Sequence, residues 1–220
     1  KNPAADVKVI LPLERAKCLL AIAQLESEEA AREGGVAQAK AAFETFLTAN
    51  PKHPRAAEAQ LSLAQVTAMQ AVGQLSATRK ITDPDPKKAR ERRNAATQAT
   101  RPLFVKASNL FGEAAKGIAS LHAGTTDEAR KRELHKTMLQ AELDRGINQY
   151  KLVDTYPSDV QGKDVIERGA ELDKARKIFT DLGKKDETSP VCWQARAWAG
   201  MCEHDKSDRA AAEKIFAQVK

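Results

Sequence analysis

One spacing constrains the fold of this chain more than any other feature: an alanine placed four residues before a phenylalanine. Of the six phenylalanines, only Phe104 lacks this alanine. The pairs are Ala39–Phe43, Ala42–Phe46, Ala107–Phe111, Ala175–Phe179 and Ala212–Phe216. Residues i and i+4 share one face of a helix, so the alanine lets a neighbouring helix approach and the phenylalanine fills the space beside it. The intervals from Ala39 to Ala107 and from Ala107 to Ala175 are both 68 residues, and Ala212 follows after 37. Such regularity indicates stacked structural repeats.

The composition favours helices throughout. Alanine contributes 39 of the 220 residues, aromatic residues only 5%, and no six-residue window alternates as a strand would. Helix formers therefore dominate, and β-branched runs are scarce. The sequence predicts an all-α fold.

Proline and glycine divide the chain into helices. We expect the first helix to begin after Pro12 and to end at Gly34-Gly35, and the second to stop at Asn50-Pro51. Pro54 opens the third. The predicted hairpins are 12–33 with 36–50, 54–77 with 89–121, 126–155 with 163–183, and 189–204 with 207–219.

Three further signals mark the middle of the chain. The segment ITDPDP at 81–86 predicts a connector, and we expect 79–88 to be a mobile, exposed loop because Asp-Pro pairs cannot continue a helix. The triplet 100–102, Thr-Arg-Pro, predicts either a kink or a new helix start. Thr126 is the predicted cap of the helix that follows it.

The last repeat resembles the tetratricopeptide repeat family, whose pattern is W-x2-L-G-x2-Y, then A-x3-F, then P, over 34 residues. Ala199-Gly200 stands at the L-G place, and Ala212 and Phe216 follow at the family's intervals. Arg196 and Glu203 occupy the tryptophan and tyrosine places, which departs from the pattern.

The first repeat matches the second half of that pattern. Ala39, Phe43 and Pro51 fit, whereas the L-G pair reads Glu26-Ser27. The resemblance implies one domain over 1–220: an α-solenoid of about four antiparallel hairpins, the middle two enlarged. It also implies a non-catalytic scaffold for protein–protein interaction, with a partner peptide or helix bound on a concave face formed by the first helix of each hairpin.

Aligning the hairpins on Gly200 and on the Ala39–Phe43 pair gives the residues expected to line that face. The candidate partner-binding residues are Ala21, Gln24, Glu28, Ala31, Arg55, Glu58, Ser62, Gln65, Gln194, Ala197, Met201 and His204. This lining is polar and only lightly aromatic, so we expect a contact of micromolar affinity.

The net charge of +6 keeps a second interpretation open. The basic segments 79–93 and 130–136 are candidates for binding nucleic acid or another acidic surface, although 79–93 contains no aromatic residue for stacking. A third possibility is a helical accessory domain of a larger enzyme, because the chain starts at Lys1 without methionine and is expected to be a processed or excised piece. The segment FETFLTANPKHP (43–54) also resembles repeats of bacterial cell-envelope scaffold proteins.

Motifs of catalysis and cofactor binding are not found in the sequence. The four histidines form no HExxH motif, Gly34-Gly35 lacks the lysine of a phosphate loop, and no serine lies in G-x-S-x-G. Adjacent positions in 202–205, Cys-Glu-His-Asp, point in different directions on a helix, so we expect no metal site there. We predict no enzyme activity and no cofactor.

No stretch reaches the 18 apolar residues expected of a transmembrane helix. The expectation is a soluble protein of the cytoplasm, periplasm or cell envelope.

Overall fold

The computed structural model describes residues 3–156 and 163–219. Within these ranges the chain forms helices and no strand, which confirms the all-α prediction. The helices are α1 (Pro3–Leu25), α2 (Glu29–Ala49), α3 (Ala56–Thr78), α4 (Pro86–Gly124), α5 (Glu128–Lys151), α6 (Lys163–Gly183), α7 (Pro190–Asp205) and α8 (Arg209–Ala217). A 3₁₀ turn, Leu152–Thr155, extends α5. None of the helices in the described ranges combines the length and apolar character needed to cross a bilayer.

Each helix packs against the next one along the chain, from α1 through α8. Helices two apart also meet, α1 with α3 and α5 with α7. Sequential packing of this kind follows from short connections between amphipathic helices. It places α3 and α5 on either side of α4, an arrangement that creates the cleft described below.

The A-x3-F spacing predicts buried rings at Phe43, Phe111, Phe179 and Phe216, and the structure confirms the first three. Phe43 and Phe179 are fully buried and Phe111 is 3% exposed, whereas Phe216 is half-buried. One apolar cluster joins α1, α2 and α3 around Phe43 and Phe46, and a second joins α5, α6 and α7 around Phe179. Trp198 of α7 closes the second cluster, with its ring stacked on Phe179 at 5.9 Å.

The first hairpin turns earlier than the glycines predicted. The two helices are separated at 26–28, and Gly34-Gly35 lies inside α2, so the expectation that these glycines end the first helix is wrong. Glu28 caps α2, because its carboxylate accepts hydrogen bonds from the N–H groups of Ala30 (3.2 Å) and Ala31 (2.6 Å). A Cβ on Gly35 would lie 2.9 Å from Cβ of Ala23. This glycine therefore allows α1 and α2 to approach closely instead of ending a helix.

Two prolines lie inside helices that were expected to begin or break at them. Pro12 is within α1, and Pro102 is within α4, which runs without a break through the Thr-Arg-Pro triplet. A proline inside a helix removes one backbone hydrogen bond. A buried residue follows closely in both places: Leu13 comes directly after Pro12, and Phe104 lies two residues after Pro102, each 0% exposed. Tertiary packing therefore holds the helix across the missing bond.

Aspartates, rather than the residues proposed from the sequence, start the central helices. Asp85 accepts hydrogen bonds from the N–H groups of Lys87 (2.9 Å) and Lys88 (3.4 Å), so α4 begins at Pro86. The prediction that 79–88 is entirely a loop is wrong for 86–88. Asp127, not Thr126, caps α5 by accepting from the N–H of Ala129 at 2.8 Å.

Candidate binding cleft

An open cleft of about 600 Å³ lies between α3 and α5, with Phe111 of α4 among its lining residues. On α3 the lining residues recur every three or four positions, which places them on one face of the helix. The cleft is lined by Gln24, Glu29, Arg32, Gln65, Ala68, Met69, Val72, Gly73, Ser76, Phe111, Asp144, Ile147, Asn148 and Lys151. The wall formed by α3 includes the small residues Ala68, Gly73 and Ser76, so the backbone of a bound ligand can approach this helix closely.

The cleft continues into a second opening of about 1080 Å³ along the first half of α5. Gln65 and Asp144 border both parts, so the two openings are contiguous. The far wall is the segment 186–191, which connects α6 to α7 and starts α7. We call this second part the basic arm, because Lys131, Arg132 and Lys136 line it. Three acidic side chains, Glu128, Asp144 and Asp186, line it as well.

Asn148 of α5 lines the cleft, and its side-chain amide has an unpaired acceptor atom. Its side chain is 3% exposed, and its Nδ2 donates a hydrogen bond to the carbonyl oxygen of Phe104 at 2.5 Å. This bond fixes the orientation of the amide. Its Oδ1 is buried and accepts no hydrogen bond from the described residues. A buried acceptor without a partner costs about 1–3 kcal/mol, and a hydrogen-bond donor that reached this atom would remove that cost.

Asp144 lies one turn before Asn148, where the two parts of the cleft meet. Burial raises the pKa of its carboxyl group, and the hydrogen bond from Gln140 (2.9 Å) and the charge of Lys151 oppose this rise. Gln140, Asp144 and Asn148 thus form a polar stripe along α5. The four-residue spacing of these polar side chains on a helix with an apolar core face was the signal in the sequence that could have identified this wall.

Arg55 and Glu58, two of the predicted partner-binding residues, belong to an ion-pair network between α1 and α3. Arg55 donates to both carboxylate oxygens of Glu58, at 2.6 and 3.0 Å, and pairs with Glu14 of α1 at 2.5 Å. Lys17 of α1 also pairs with Glu58. Burial tends to raise the pKa of Glu58, but the hydrogen bonds from Arg55 and Lys17 outweigh it and lower the pKa to about 2. The hydrogen bonds of Arg55 to Glu58 and Glu14 raise the pKa of its guanidinium group. These charges are therefore satisfied within the protein.

The other predicted residues divide into those that reach the cleft and those that do not. The structure brings Gln24 and Gln65 together in the cleft. Ser62 is only 9% exposed, so its side chain offers little surface to a partner. Exposed positions outside the cleft lining are Ala21, Glu28, Ala31, Gln194, Met201 and His204, and Ala197 is half-buried. Sequence alignment missed Met69, Phe111, Asp144 and Asn148.

The segment 202–205 does not converge on one point. Cys202 and Glu203 are buried, whereas His204 is exposed, with its Nδ1 3.2 Å from Oδ1 of Asp205. Burial is the main factor that raises the pKa of the Cys202 thiol to about 12. Across the part of the chain that the structure describes, no group of three or more His, Cys, Asp or Glu side chains is arranged to hold a metal ion.

The two basic segments are partly neutralised by ion pairs. In 79–93, Lys80 pairs with Glu29, and Arg92 lies 3.0 Å from Asp83. In 130–136, Arg130 pairs with Glu133 at 2.6 Å and Lys131 with Glu128 at 3.1 Å. The second segment borders the cleft through its basic arm, so the two interpretations of the sequence meet on one surface.

No protein-family model matches this chain, and no curated protein matches it significantly.

Proposed function

We propose that this chain is a non-catalytic scaffold, a tetratricopeptide-like α-solenoid, that binds a peptide segment of a partner protein in the cleft between α3 and α5. The cleft with its unpaired Asn148 acceptor is the observation that carries this proposal. The regular A-x3-F spacing and the packing of consecutive helices support the solenoid. We assign the function to the cleft because concave surfaces with apolar walls and a few polar groups commonly bind ligands.

An extended peptide suits this cleft better than a helix. The N–H groups of a bound helix are used within the helix, whereas an extended peptide has free N–H groups that can donate to Oδ1 of Asn148. Met69, Val72 and Ile147 would receive an apolar side chain of the peptide, and the polar ends of the cleft would hold its flanks. The bound segment would then run from the 24–32 end towards the basic arm.

Two glycines allow a matched test of this location. Gly73 lines the cleft on α3, Gly34 is exposed on α2, and a Cβ at either position would meet nothing within 4 Å. Gly73→Tyr therefore fills the cleft without disturbing the core, and Gly34→Tyr adds the same side chain elsewhere. Both variants should fold, since replacing a helical glycine removes a cost of about 1 kcal/mol.

The probe is a phage-displayed library of random dodecapeptides selected on the wild-type chain. Enriched peptides are synthesised, and their affinities are measured by fluorescence anisotropy. We expect Kd values in the micromolar range, unchanged in Gly34→Tyr and raised at least about tenfold in Gly73→Tyr. Absence of enriched peptides, or equal affinity for both variants, would show that the cleft is not the binding site.

A second candidate function is binding of nucleic acid or another polyanion, and the observation that favours it is the row of Lys131, Arg132 and Lys136 along the basic arm. Binding to phosphates weakens steeply as salt rises, whereas an apolar peptide contact does not. The basic segment 79–93 is tested by replacing its five basic residues between 87 and 93 with glutamine. These residues are Lys87, Lys88, Arg90, Arg92 and Arg93. Charge reversal at Arg55 and Glu58 does not test the cleft, because both residues lie outside its lining in the ion-pair network with α1. If Gly73→Tyr leaves binding intact while this neutralisation abolishes it, the polyanion interpretation is correct and the peptide interpretation is wrong.

A further inference from the structure

Helix α1 carries an apolar stripe on the side that points away from the protein. Val7 is 59% exposed, Leu11 63%, Ile22 64% and Leu25 87%. Cys18 is exposed within the same stripe. At about 100° per residue these five side chains fall within an arc of about 60°. A helix with such a stripe is expected to bury it against another element.

The opposite face of α1 is already used. Leu13, Ala16, Leu20 and Ala23 are buried in the core cluster shared with α2 and α3. By the same helical geometry, they lie roughly 180° from the exposed stripe. The exposed stripe is therefore not an edge of the core, because it lies on a separate, second apolar face of α1.

We propose that this second face binds the same face of another copy of the chain, with the two α1 helices antiparallel across a two-fold axis. The order of the side chains supports this arrangement. When the stripe is turned end to end, Leu11 meets Ile22 of the partner and Val7 meets Leu25, while Cys18 lies near the axis. A two-fold interface requires this self-complementarity, since each patch contacts its own copy.

Charges at the two ends of the stripe favour the antiparallel orientation, and the exposed Arg15 near the axis is the like-charge contact that they must outweigh. Glu26 directly follows α1, and its N–H still donates to the carbonyl oxygen of Ile22 at 3.1 Å, so it continues the helical path. Lys8 lies 18 residues earlier, which is five full turns, so the two residues flank the stripe on the same side. One carboxylate oxygen of Glu26 accepts from the N–H of Glu28 at 3.0 Å, which leaves the other for a partner. In the antiparallel pair Lys8 of each copy lies beside Glu26 of the other, and two ion pairs form. In a parallel pair the flanks of the two copies lie on opposite edges of the interface, so neither of these ion pairs forms. The surface is that of one helix pair, which is small for a protein interface, so we expect a dimer with a Kd in the micromolar range.

Sedimentation analysis tests the dimer. We expect the 220-residue chain to change from monomer to dimer as its concentration rises to about 100 µM, and Ile22→Glu to raise the dimer Kd at least about tenfold. Ile166→Glu is the matched control, because Ile166 is 74% exposed on α6 and receives the same substitution. A wild-type chain that stays monomeric, or a dimer lost in Ile166→Glu but kept in Ile22→Glu, overturns the proposal.

Two further measurements test the orientation. Cys18 is exposed whereas Cys192 and Cys202 are buried, so a short bismaleimide reagent should link two copies through Cys18. Cys18→Ser and Ile22→Glu should both abolish the linked dimer. Glu26→Lys should weaken the dimer, and Lys8→Glu combined with Glu26→Lys should restore it. Lack of restoration would contradict the antiparallel arrangement.

Discussion

Gly146 of α5 lies directly against the ring of Phe179 of α6, so closely that a Cβ at residue 146 would overlap the ring. The same relationship recurs between α7 and α8, where a Cβ at Gly200 would lie 2.5 Å from Cε1 of Phe216. In both pairs a glycine on the first helix faces the phenylalanine of an A-x3-F pair on the second. The recurrence gives the two C-terminal hairpins a common packing unit.

We expect Gly146→Ala and Gly200→Ala to destabilise the protein. The added methyl group forces an aromatic ring or a helix to move, and overpacking of this kind costs about 1–3 kcal/mol. Gly73→Ala is the control, because a Cβ there meets nothing within 4 Å, and it should stabilise the helix by up to about 1 kcal/mol. Chemical denaturation at neutral pH measures all three. A stabilising effect of Gly146→Ala would contradict the close packing.

The overlap also predicts energetic coupling between the two residues. Phe179→Leu removes the part of the ring that the new methyl group would meet, so Gly146→Ala should cost less in that background. The free energies of unfolding of the single and double variants form a cycle, and we expect an interaction energy of about 0.5–3 kcal/mol. Additive effects would show that the methyl group is accommodated elsewhere.

The loss in free energy of unfolding on replacing a phenylalanine with alanine should increase with the burial of its ring. Phe179 is 0% exposed, so Phe179→Ala should cost about 3–5 kcal/mol. Phe216 is half-buried on α8, so Phe216→Ala should lower the free energy of unfolding by less. Urea denaturation of the two variants, with Phe43→Ala as a second fully buried example, tests this order. Equal losses at the two sites would show that exposure does not set the cost.

The sequence predicted the parts of this fold that depend on periodicity within a helix. The A-x3-F spacing correctly identified buried Phe43, Phe111 and Phe179. Glycine was misread at Gly35, because its helix-breaking tendency of about 1 kcal/mol is weaker than the gain from packing against Ala23. The same competition kept Pro102 inside α4.

The cleft was predicted only in part because it depends on how separate helices meet. Alignment to the repeat pattern reached Gln24 and Gln65, which lie on helices with a defined register. It did not reach Asp144 and Asn148, since no repeat pattern had been assigned to α5. Asn148 gains its significance from the carbonyl of Phe104, 44 residues away, which holds its amide in place. Such a relationship cannot be read from local spacing.

The start of α5 offers a direct comparison of two neighbouring residues as caps. Asp127 accepts hydrogen bonds from the N–H groups of Ala129 and Arg130, whereas Thr126 precedes the cap. Asp127→Ala should therefore cost about 0.5–2 kcal/mol, as loss of an N-cap generally does, and Thr126→Ala should change stability little. Thermal denaturation monitored by circular dichroism tests the pair. A larger loss in Thr126→Ala would mean that the cap is misplaced.

The ion pairs of Glu58 with Arg55 and Lys17 predict that part of the folding stability is lost at acidic pH. The carboxyl group has a pKa of about 2 in the folded chain, below its ordinary value of 4.5. Unfolding therefore takes up a proton between these values, and the stabilisation is complete above about pH 4.5 and lost as pH falls towards 2. The side chain is 41% exposed, so solvent screening limits the effect to about 1 kcal/mol.

We expect Glu58→Gln to lose this contribution at neutral pH, so that its free energy of unfolding falls less steeply than that of the wild type between pH 4.5 and 3. Glu113→Gln is the control, because Glu113 forms a single ion pair with Lys116 within one helix and its side chain is 58% exposed. Urea denaturation across this pH range measures all three proteins. If Glu58→Gln and the wild type lose stability in parallel on acidification, then Arg55 and Lys17 do not hold the Glu58 carboxylate in the folded state.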